Sequence, residues 1–122
     1  MEVRIKGDAN LQRALAALAG PAAKQAQAQG LEAGARIVET WAKVYAPVDT
    51  GALRNSIAVD DPVMPELASV SASVEYAEHV EMGTGRTPAQ PFLRPALDQH
   101  EAEITEAVAA EIRAFVLSAR GM

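Results

Sequence analysis

The sequence has no cysteine, few aromatic residues and no long apolar run. The absence of cysteine among its 122 residues excludes disulfide bonds and thiolate metal sites. Hydrophobic residues make up 49% but aromatic residues only 4%, and much of the rest is alanine, which contributes little free energy when buried. No stretch approaches the roughly 18 apolar residues of a membrane-spanning helix. We therefore expect a single domain over residues 1–122 with a thin core, stabilised by close helix packing or by neighbouring subunits.

Positive charge is also scarce. Sixteen acidic residues against eleven basic ones give a formal net charge of -5. No run of Lys or Arg forms a stripe that could neutralise several phosphates, which disfavours tight nucleic-acid binding. The segment from Met1 to Lys6 lacks the apolar core of a signal peptide. These features predict a protein that is made and used in the cytoplasm, or that leaves the cell within a particle.

The first half of the sequence predicts one strand and a broken helix. Charged and apolar residues alternate from Glu2 to Lys6, the period-two pattern of a half-exposed strand. A first helix is predicted over Leu11 to Leu18, and Gly20 interrupts it before a second, which Pro47 stops. The apolar positions of the second helix keep the 3.6-residue spacing: Leu31, Ala35, Val38, Ala42 and Tyr45.

The second half predicts a β-hairpin followed by a helix. Strand-like patterns run from Leu53 to Val59 and from Val70 to Tyr76, joined by a turn-rich tip from Asp60 to Glu66. A closing helix that begins near Pro91 or Pro95 is expected to cover one face of the sheet. Its apolar stripe comprises Leu97, Ile104, Val108, Ile112 and Phe115. The predicted class is α+β: a small antiparallel sheet of about three to four strands, packed by a long broken N-terminal helix and a C-terminal helix.

Three short phrases stand out: Ala-Pro-Val-Asp-Thr-Gly-Ala-Leu-Arg-Asn-Ser-Ile at 46–57, Tyr-Ala-Glu-His-Val-Glu-Met-Gly-Thr at 76–84 and Ala-Gln-Pro-Phe-Leu-Arg-Pro-Ala-Leu at 89–97. In this order they resemble the neck or minor tail-component proteins of lambda-like long-tailed bacteriophages. Members of that family combine Pro-x-Asp-Thr-Gly-x-Leu-x-x-Ser, Tyr-Ala-x-x-x-Glu-x-Gly-Thr and Pro-Phe-Leu-x-Pro-Ala. The three phrases together are far more specific than any one of them.

The resemblance implies a structural virion protein of the neck that joins head to tail as part of a homo-oligomeric ring, a hexamer by analogy with tail symmetry. It implies head connector or stopper proteins and tail-terminator or tail-tube proteins as partners. Genome DNA would pass through the ring without sequence-specific binding, and neither a membrane nor a cofactor is expected. A tail terminator or another minor tail component is the alternative.

The first phrase predicts a helix-to-strand corner. Asp49 or Thr50 can accept hydrogen bonds from nearby backbone N–H groups, and Gly51 permits a turn that would strain other residues. The corner and Arg54 either face a neighbouring subunit or simply fix the turn.

The second and third phrases flank a candidate binding loop. Residues 83–88 are typical of an exposed, flexible connection. Glu81 is expected to pair with Arg86, with Arg94 or with an arginine of the next subunit, and an exposed pair stabilises by only about 0–1 kcal/mol. Phe92 either docks into a partner's apolar groove or belongs to the core. The candidate interface residues are Asp49, Thr50, Gly51, Arg54, Glu81, Gly83, Thr84, Arg86, Pro91, Phe92 and Arg94.

Two further readings come from other classes of protein. Glu75, His79 and Glu81 suggest a small metal-dependent hydrolase, but on a strand they would spread over about 20 Å, too far for one ion, which favours a solvated acidic surface. A cytoplasmic ligand-binding domain is the third possibility. Trp41 and Tyr45, four residues apart on the long helix, fit either a partner-binding hot spot or the core, and we favour the core.

Overall fold

The chain folds into a mixture of helices and short strands. The computed structural model describes residues 2–6, 20–47, 51–60 and 67–120. The predicted helix at Leu11 to Leu18 and most of the hairpin tip, residues 61–66, lie outside these ranges. The described elements are β1 (Glu2–Lys6), α1 (Gly20–Tyr45), α2 (Ala52–Ser56), β2 (Ile57–Val59), β3 (Leu67–Ala72), α3 (Ala77–Met82), α4 (Leu93–Asp98) and α5 (Glu101–Arg120).

The described strands form one antiparallel sheet in the order β1-β3-β2. Strand β3 is central: Val3 of β1 lies opposite Val70, and Ile57 of β2 lies opposite Ala72. Every second residue of β3 is buried, beginning with Ala68, because alternate side chains of a strand point to the same face. This face packs against α1. The predicted hairpin and the predicted fold class are confirmed.

The long helix α1 forms the centre of the core. Its buried residues recur at the predicted helical spacing, from Leu31 through Ala35 and Val38 to Ala42. Alanine at two of these positions lets the helix lie close to its neighbours. The largest fully buried side chains of the chain are Phe92, Leu31, Ile57, Leu93, Val38 and Val70. The core therefore joins α1, the sheet and the start of α4.

The predicted closing helix is two helices, and the longer one packs differently from our expectation. A turn at Gln99 and His100 separates α4 from α5. Helix α5 lies along α1 and not across the sheet, because α1 already covers the buried face. Its stripe of Ile104, Val108 and Ile112 is buried as predicted. None of the described helices is both long enough and apolar enough to cross a membrane.

The first predicted hairpin strand is mostly helical. Residues Ala52–Ser56 form α2, and only Ile57–Val59 are extended. The backbone N–H of Asn55 donates to the carbonyl of Gly51 at 2.9 Å, and the Ser56 hydroxyl donates to the carbonyl of Leu53 at 2.8 Å. Such local hydrogen bonds compete with strand pairing. The alternation from Leu53 therefore predicted the wrong element for its first half.

The second predicted hairpin strand is displaced toward the N-terminus. Strand β3 covers Leu67–Ala72, whereas we expected strand from Val70 to Tyr76. The chain turns after Ser73, and the N–H of Ala77 donates to the carbonyl of Val74 at 3.2 Å as α3 begins. The apolar residues at 74 and 76 continue the alternation, but there is no longer a strand beside them, since β2 begins only at Ile57, opposite Ala72.

Gly30 lies where α1 and α5 are in close contact. A Cβ added there would lie 3.0 Å from Cγ1 of Ile112 and 3.2 Å from Cγ1 of Val108. We expect Gly30→Leu to lower the free energy of unfolding by about 1–3 kcal/mol through overpacking. Urea denaturation measures the change. Gly85→Ala is the control, because a Cβ at Gly85 meets nothing within 4 Å, and an unchanged midpoint for Gly30→Leu would show that the helices are not in close contact.

Candidate functional site

The three sequence phrases meet at one end of the sheet. The first phrase enters β2 at Ile57, which lies opposite Ala72, the last residue of β3. The second phrase begins four residues after Ala72, and Glu2 of β1 lies opposite Ser71 at the same end. We call this the motif end, defined by Glu2, Ile57 and Ala72. Residues that are distant in sequence are thus brought to a common surface.

Glu81 connects the second phrase to the third. Its side chain is only 6% exposed. Its Oε1 accepts hydrogen bonds from the backbone N–H groups of Phe92 at 3.0 Å and Leu93 at 2.8 Å, and its Oε2 accepts from the N–H of Arg94 at 3.3 Å. These donors lie at the start of α4, where helical N–H groups have no partner within the helix. A carboxylate there also interacts favourably with the helix dipole. We call this arrangement the Glu81 clasp.

The expected pairing of Glu81 with Arg86 or Arg94 is wrong, and a pairing with an arginine of the next subunit stays a prediction. The guanidinium of Arg94 lies 3.9 Å from the carboxylate of Asp98, and Arg86 has no ion pair within the described part of the chain. Glu81 binds backbone N–H groups in preference to an arginine because the fold already holds these donors in place. A surface arginine would have to lose side-chain conformational freedom to form an ion pair. One signal in the sequence was available: Phe92 is the N-cap residue of α4, and phenylalanine cannot cap, so the cap must come from elsewhere.

Phe92 and Leu93 lie in the core of their own chain. Both side chains are completely buried, which is the second of the two alternatives for Phe92. They have no surface available to a partner. Pro91 and the side chain of Arg94, by contrast, are exposed on either side of them. The third phrase therefore fixes the loop to the core and leaves its flanking residues accessible.

The loop between α3 and α4 is exposed but closed by its own hydrogen bonds. The N–H of Thr84 donates to the carbonyl of Thr87 at 2.9 Å, and the N–H of Gln90 donates to the carbonyl of Val80 at 2.8 Å. The Thr84 hydroxyl accepts from the N–H groups of Arg86 at 3.2 Å and Thr87 at 3.0 Å. Residues 84–91 are all exposed. We call residues 83–90 the closed loop, and its conformation is held by hydrogen bonds within a single subunit.

The first phrase supplies one exposed cation to the motif end. Asp49 and Thr50 lie outside the described residues. Gly51 has a φ of 81°, the left-handed conformation predicted for the corner. Arg54 on α2 is exposed and, within the described ranges, forms no ion pair. Neither role proposed for the corner is decided by this arrangement.

The acidic cluster around His79 does not share one site. Residues Ala77–Met82 form a helix, so the spacing that we derived for a strand was based on the wrong element. Glu75, Glu78 and His79 are exposed, whereas Glu81 points inward to the clasp. No group of three or more His, Asp and Glu residues that could hold a metal ion occurs in the ranges that the structure describes.

An open groove lies beside the clasp. Its walls come from β1 on one side and from α3 and α4 on the other, and its volume is about 650 Å³. Leu97, Met82 and Pro91 provide its accessible apolar floor above the buried Val3 and Leu93, and Glu2, Arg4, Glu81 and Arg94 add charges of both signs. We call this the edge groove. Sequence periodicity did not predict it, since it arises only when β1 meets α4.

Trp41 and Tyr45 are half-buried and pack against His100. The rings of Trp41 and His100 stack with centroids 4.0 Å apart, and the Tyr45 hydroxyl lies 2.6 Å from Nε2 of His100. The indole N–H of Trp41 donates to Glu103 at 2.9 Å. This cluster joins the end of α1 to the turn before α5. Sequence pattern did not single out His100, because its ring partners Trp41 and Tyr45 lie more than fifty residues earlier in the chain.

The Glu81 clasp leads to a stability test. We expect Glu81→Ala to lower the free energy of unfolding by about 1–3 kcal/mol, because buried N–H donors lose their acceptor. Glu81→Gln keeps one carbonyl oxygen and should lose less. Glu78→Gln, on the exposed side of the same helix, is the matched control and should change little. Thermal unfolding followed by circular dichroism measures all three, and equal effects of Glu81→Ala and Glu78→Gln would contradict the clasp.

Gly83 allows a comparison between two left-handed glycines. A Cβ on Gly83 (φ 78°) would lie 2.7 Å from the backbone nitrogen of Ala89, whereas a Cβ on Gly51 (φ 81°) meets only the side chain of Asn55 at 3.7 Å. Gly51→Ala should cost about 1–2 kcal/mol, the penalty for an L-residue in this conformation. Gly83→Ala should cost more and accelerate amide hydrogen exchange in the closed loop. Equal costs would show that the loop relaxes away from the added methyl group.

Comparison with known proteins identifies the family. Residues 9–84 match the family model HK97-gp10_like, described as "Bacteriophage HK97-gp10, putative tail-component". The matched segment contains the first two phrases, and the third follows it. Comparison with curated proteins and with solved structures found no match. Since the match covers more than half of the sequence, this chain belongs to the HK97-gp10-like family of bacteriophage tail components.

Proposed function

We propose that the protein joins head to tail in the phage neck, as a subunit of a homo-oligomeric ring. It acts by binding and not by chemistry. Family membership supports a structural protein of the virion tail. The finer assignment to the neck rests on the resemblance of the three phrases to neck proteins and on the way the fold uses them. Assembly would take place in the host cytoplasm before the particle leaves.

The observation that carries the proposal is that the closed loop is exposed while its base is fixed to the core. The Glu81 clasp ties the base of the loop to the core at Phe92 and Leu93, while residues 84–91 remain exposed. A loop that is already ordered loses little conformational entropy on binding, which favours specific docking. A catalytic or ligand-binding role offers no comparable reason for an exposed loop whose two ends lie in the second and third phrases.

The charges at the motif end suit a protein partner. Arg54 and Arg86 are exposed, and neither forms an ion pair in the part of the chain that the structure describes. The chain as a whole carries a net charge of -5. Exposed cations on an acidic protein can select acidic partner surfaces and orient them, even where each contributes little affinity. Connector proteins on the head side and tail-terminator or tail-tube proteins on the tail side are the proposed neighbours.

The test is a phage that carries a stop codon in this gene. We expect electron microscopy of the lysate to show filled heads and separate finished tails, and complementation with the intact gene to restore joined particles. Filled heads with tails of abnormal length would instead assign the protein to tail termination. Intact, infectious particles would remove the assembly role altogether.

The same phage tests the closed loop. Complementation with Arg86→Glu should restore far fewer joined particles than the intact gene, because the loop would then repel an acidic partner. Lys24→Glu is the matched control, since it reverses the charge of one exposed residue near the N-terminal end of α1. Both purified variants should unfold at the temperature of the parent. Full complementation by Arg86→Glu would exclude an electrostatic role for the loop.

A further inference from the structure

We propose that the edge groove of one subunit binds residues 61–66 of a second copy, so that each subunit contacts the next through two different surfaces. This inference rests on the proposed ring, and it assigns the contact from which the ring is built. Residues 61–66 have the sequence Asp-Pro-Val-Met-Pro-Glu and are called the tip segment here. The groove was defined above by its position between β1 and α4.

The groove combines an apolar floor with two arginines at its border, and its two carboxylates are already bound, Glu81 in the clasp and Glu2 to Arg4. In the floor Leu97 is half-buried and Met82 is 68% exposed, above the buried Val3 and Leu93. Arg4 and Arg94 are exposed and have only weak local partners, Glu2 at 2.6 Å and Asp98 at 3.9 Å, both on the surface. Exposed ion pairs contribute little, so either arginine can exchange its partner at small cost. The groove thus fits an apolar segment that carries carboxylates.

The wall formed by β1 can also bind a backbone. Strand β1 pairs with β3 on one side, and no other described strand pairs with its second edge. Free N–H and C=O groups on an edge strand are a template for an additional extended segment. A groove between an edge strand and a helix is a known mode of peptide recognition, in which backbone hydrogen bonds give affinity and side-chain pockets give specificity.

The tip segment has the matching chemistry. Its two carboxylates, Asp61 and Glu66, flank the apolar pair Val63 and Met64, and it contains no basic residue. Its two prolines restrict the backbone, and the residue before each proline is steered to extended angles. Asp61 and Glu66 complement Arg4 and Arg94, while Val63 and Met64 match the apolar floor.

The topology indicates a second copy as the source of the segment. The chain leaves β2 at Asp60 and returns at Leu67, which lies opposite Lys6. This is the end of β3 away from the motif end, about 16 Å along the strand at roughly 3.3 Å per residue. The groove and the two residues that flank the tip segment, Asp60 and Leu67, therefore lie at opposite ends of the sheet. A contact between two different surfaces of identical subunits repeats from each subunit to the next. It forms a ring when the rotation that relates neighbouring subunits closes the circle.

Disulfide trapping tests the contact, since the chain has no cysteine of its own. The test variant is Met64→Cys combined with Met82→Cys, expressed with the stop-codon phage under reducing conditions and then oxidised in the assembled particles. We expect non-reducing gels to show a ladder at multiples of the 12.9 kDa chain, ending at the closed ring. The matched control is Met64→Cys with Leu117→Cys, since Leu117 is equally exposed at 67% but lies on α5, outside the groove.

The outcomes separate the inference from its alternatives. A ladder only in the test variant supports docking of the tip segment into the edge groove of the next subunit. Monomers alone, or a ladder of equal strength in the control, would overturn it. A single species of monomer size with increased mobility would show that the segment reaches the groove of its own chain, which also overturns the inference.

A charge exchange provides a second test that needs no cross-link. Arg94→Glu should reduce complementation at least tenfold, and adding Glu66→Arg in the same chain should restore it, because every contact in a ring then carries the exchanged pair. Arg113→Glu, at an exposed position on α5, should have no effect. No restoration by the double variant would reject the docking. If the double variant fails but the stop-codon phage still yields separate heads and tails, the inference about this contact is rejected and the proposed joining role is retained.

Discussion

The arrangement of the motif end depends on one buried carboxylate. Glu81 accepts three backbone hydrogen bonds from Phe92, Leu93 and Arg94, and this fixes where α4 begins relative to α3. The positions of Phe92 and Leu93 in the core follow from it, as do the length of the closed loop and the helical wall of the edge groove. A charged group with so little exposure is stable only when its hydrogen-bonding capacity is met, and here the backbone meets it. A single side chain thereby links a core, a loop and a surface.

Elements with strong local signals were predictable from the sequence. The alternation in β1 and the helical spacing from Leu31 to Ala42 identified both elements, because the buried residues of each recur at the period of that type of element. The hairpin was also recognisable. Its boundaries were wrong, since a glycine in a left-handed conformation at Gly51 and two local hydrogen bonds turn residues 52–56 into a helix. Short segments of this kind are decided by a few bonds that periodicity does not register.

The candidate site was only partly accessible from sequence. The three phrases identified the right segments of the chain, and Glu81 was recognised as the anchor of the loop. Its partners could not be inferred, because backbone N–H groups of residues 92–94 carry no signature of their own in a sequence. The same limitation hid the stacking of His100 on Trp41 and the edge groove, which depend on contacts between distant segments. Whether the exposed candidates Arg54, Arg86 and Pro91 contact neighbouring subunits stays a prediction.

The position of β1 in the sheet has a consequence for the order of folding. This strand precedes the other described elements, but its only described strand partner is β3, more than sixty residues later along the sequence. During synthesis the native pairing of Glu2 cannot form until Ser71 has left the ribosome, and closing so long a loop is entropically costly. Until then α1 can form from local interactions alone. Strand β1 is therefore made before the other strands of the sheet and is among the last elements to reach its place, so the edge that flanks the groove is completed only when the rest of the sheet exists.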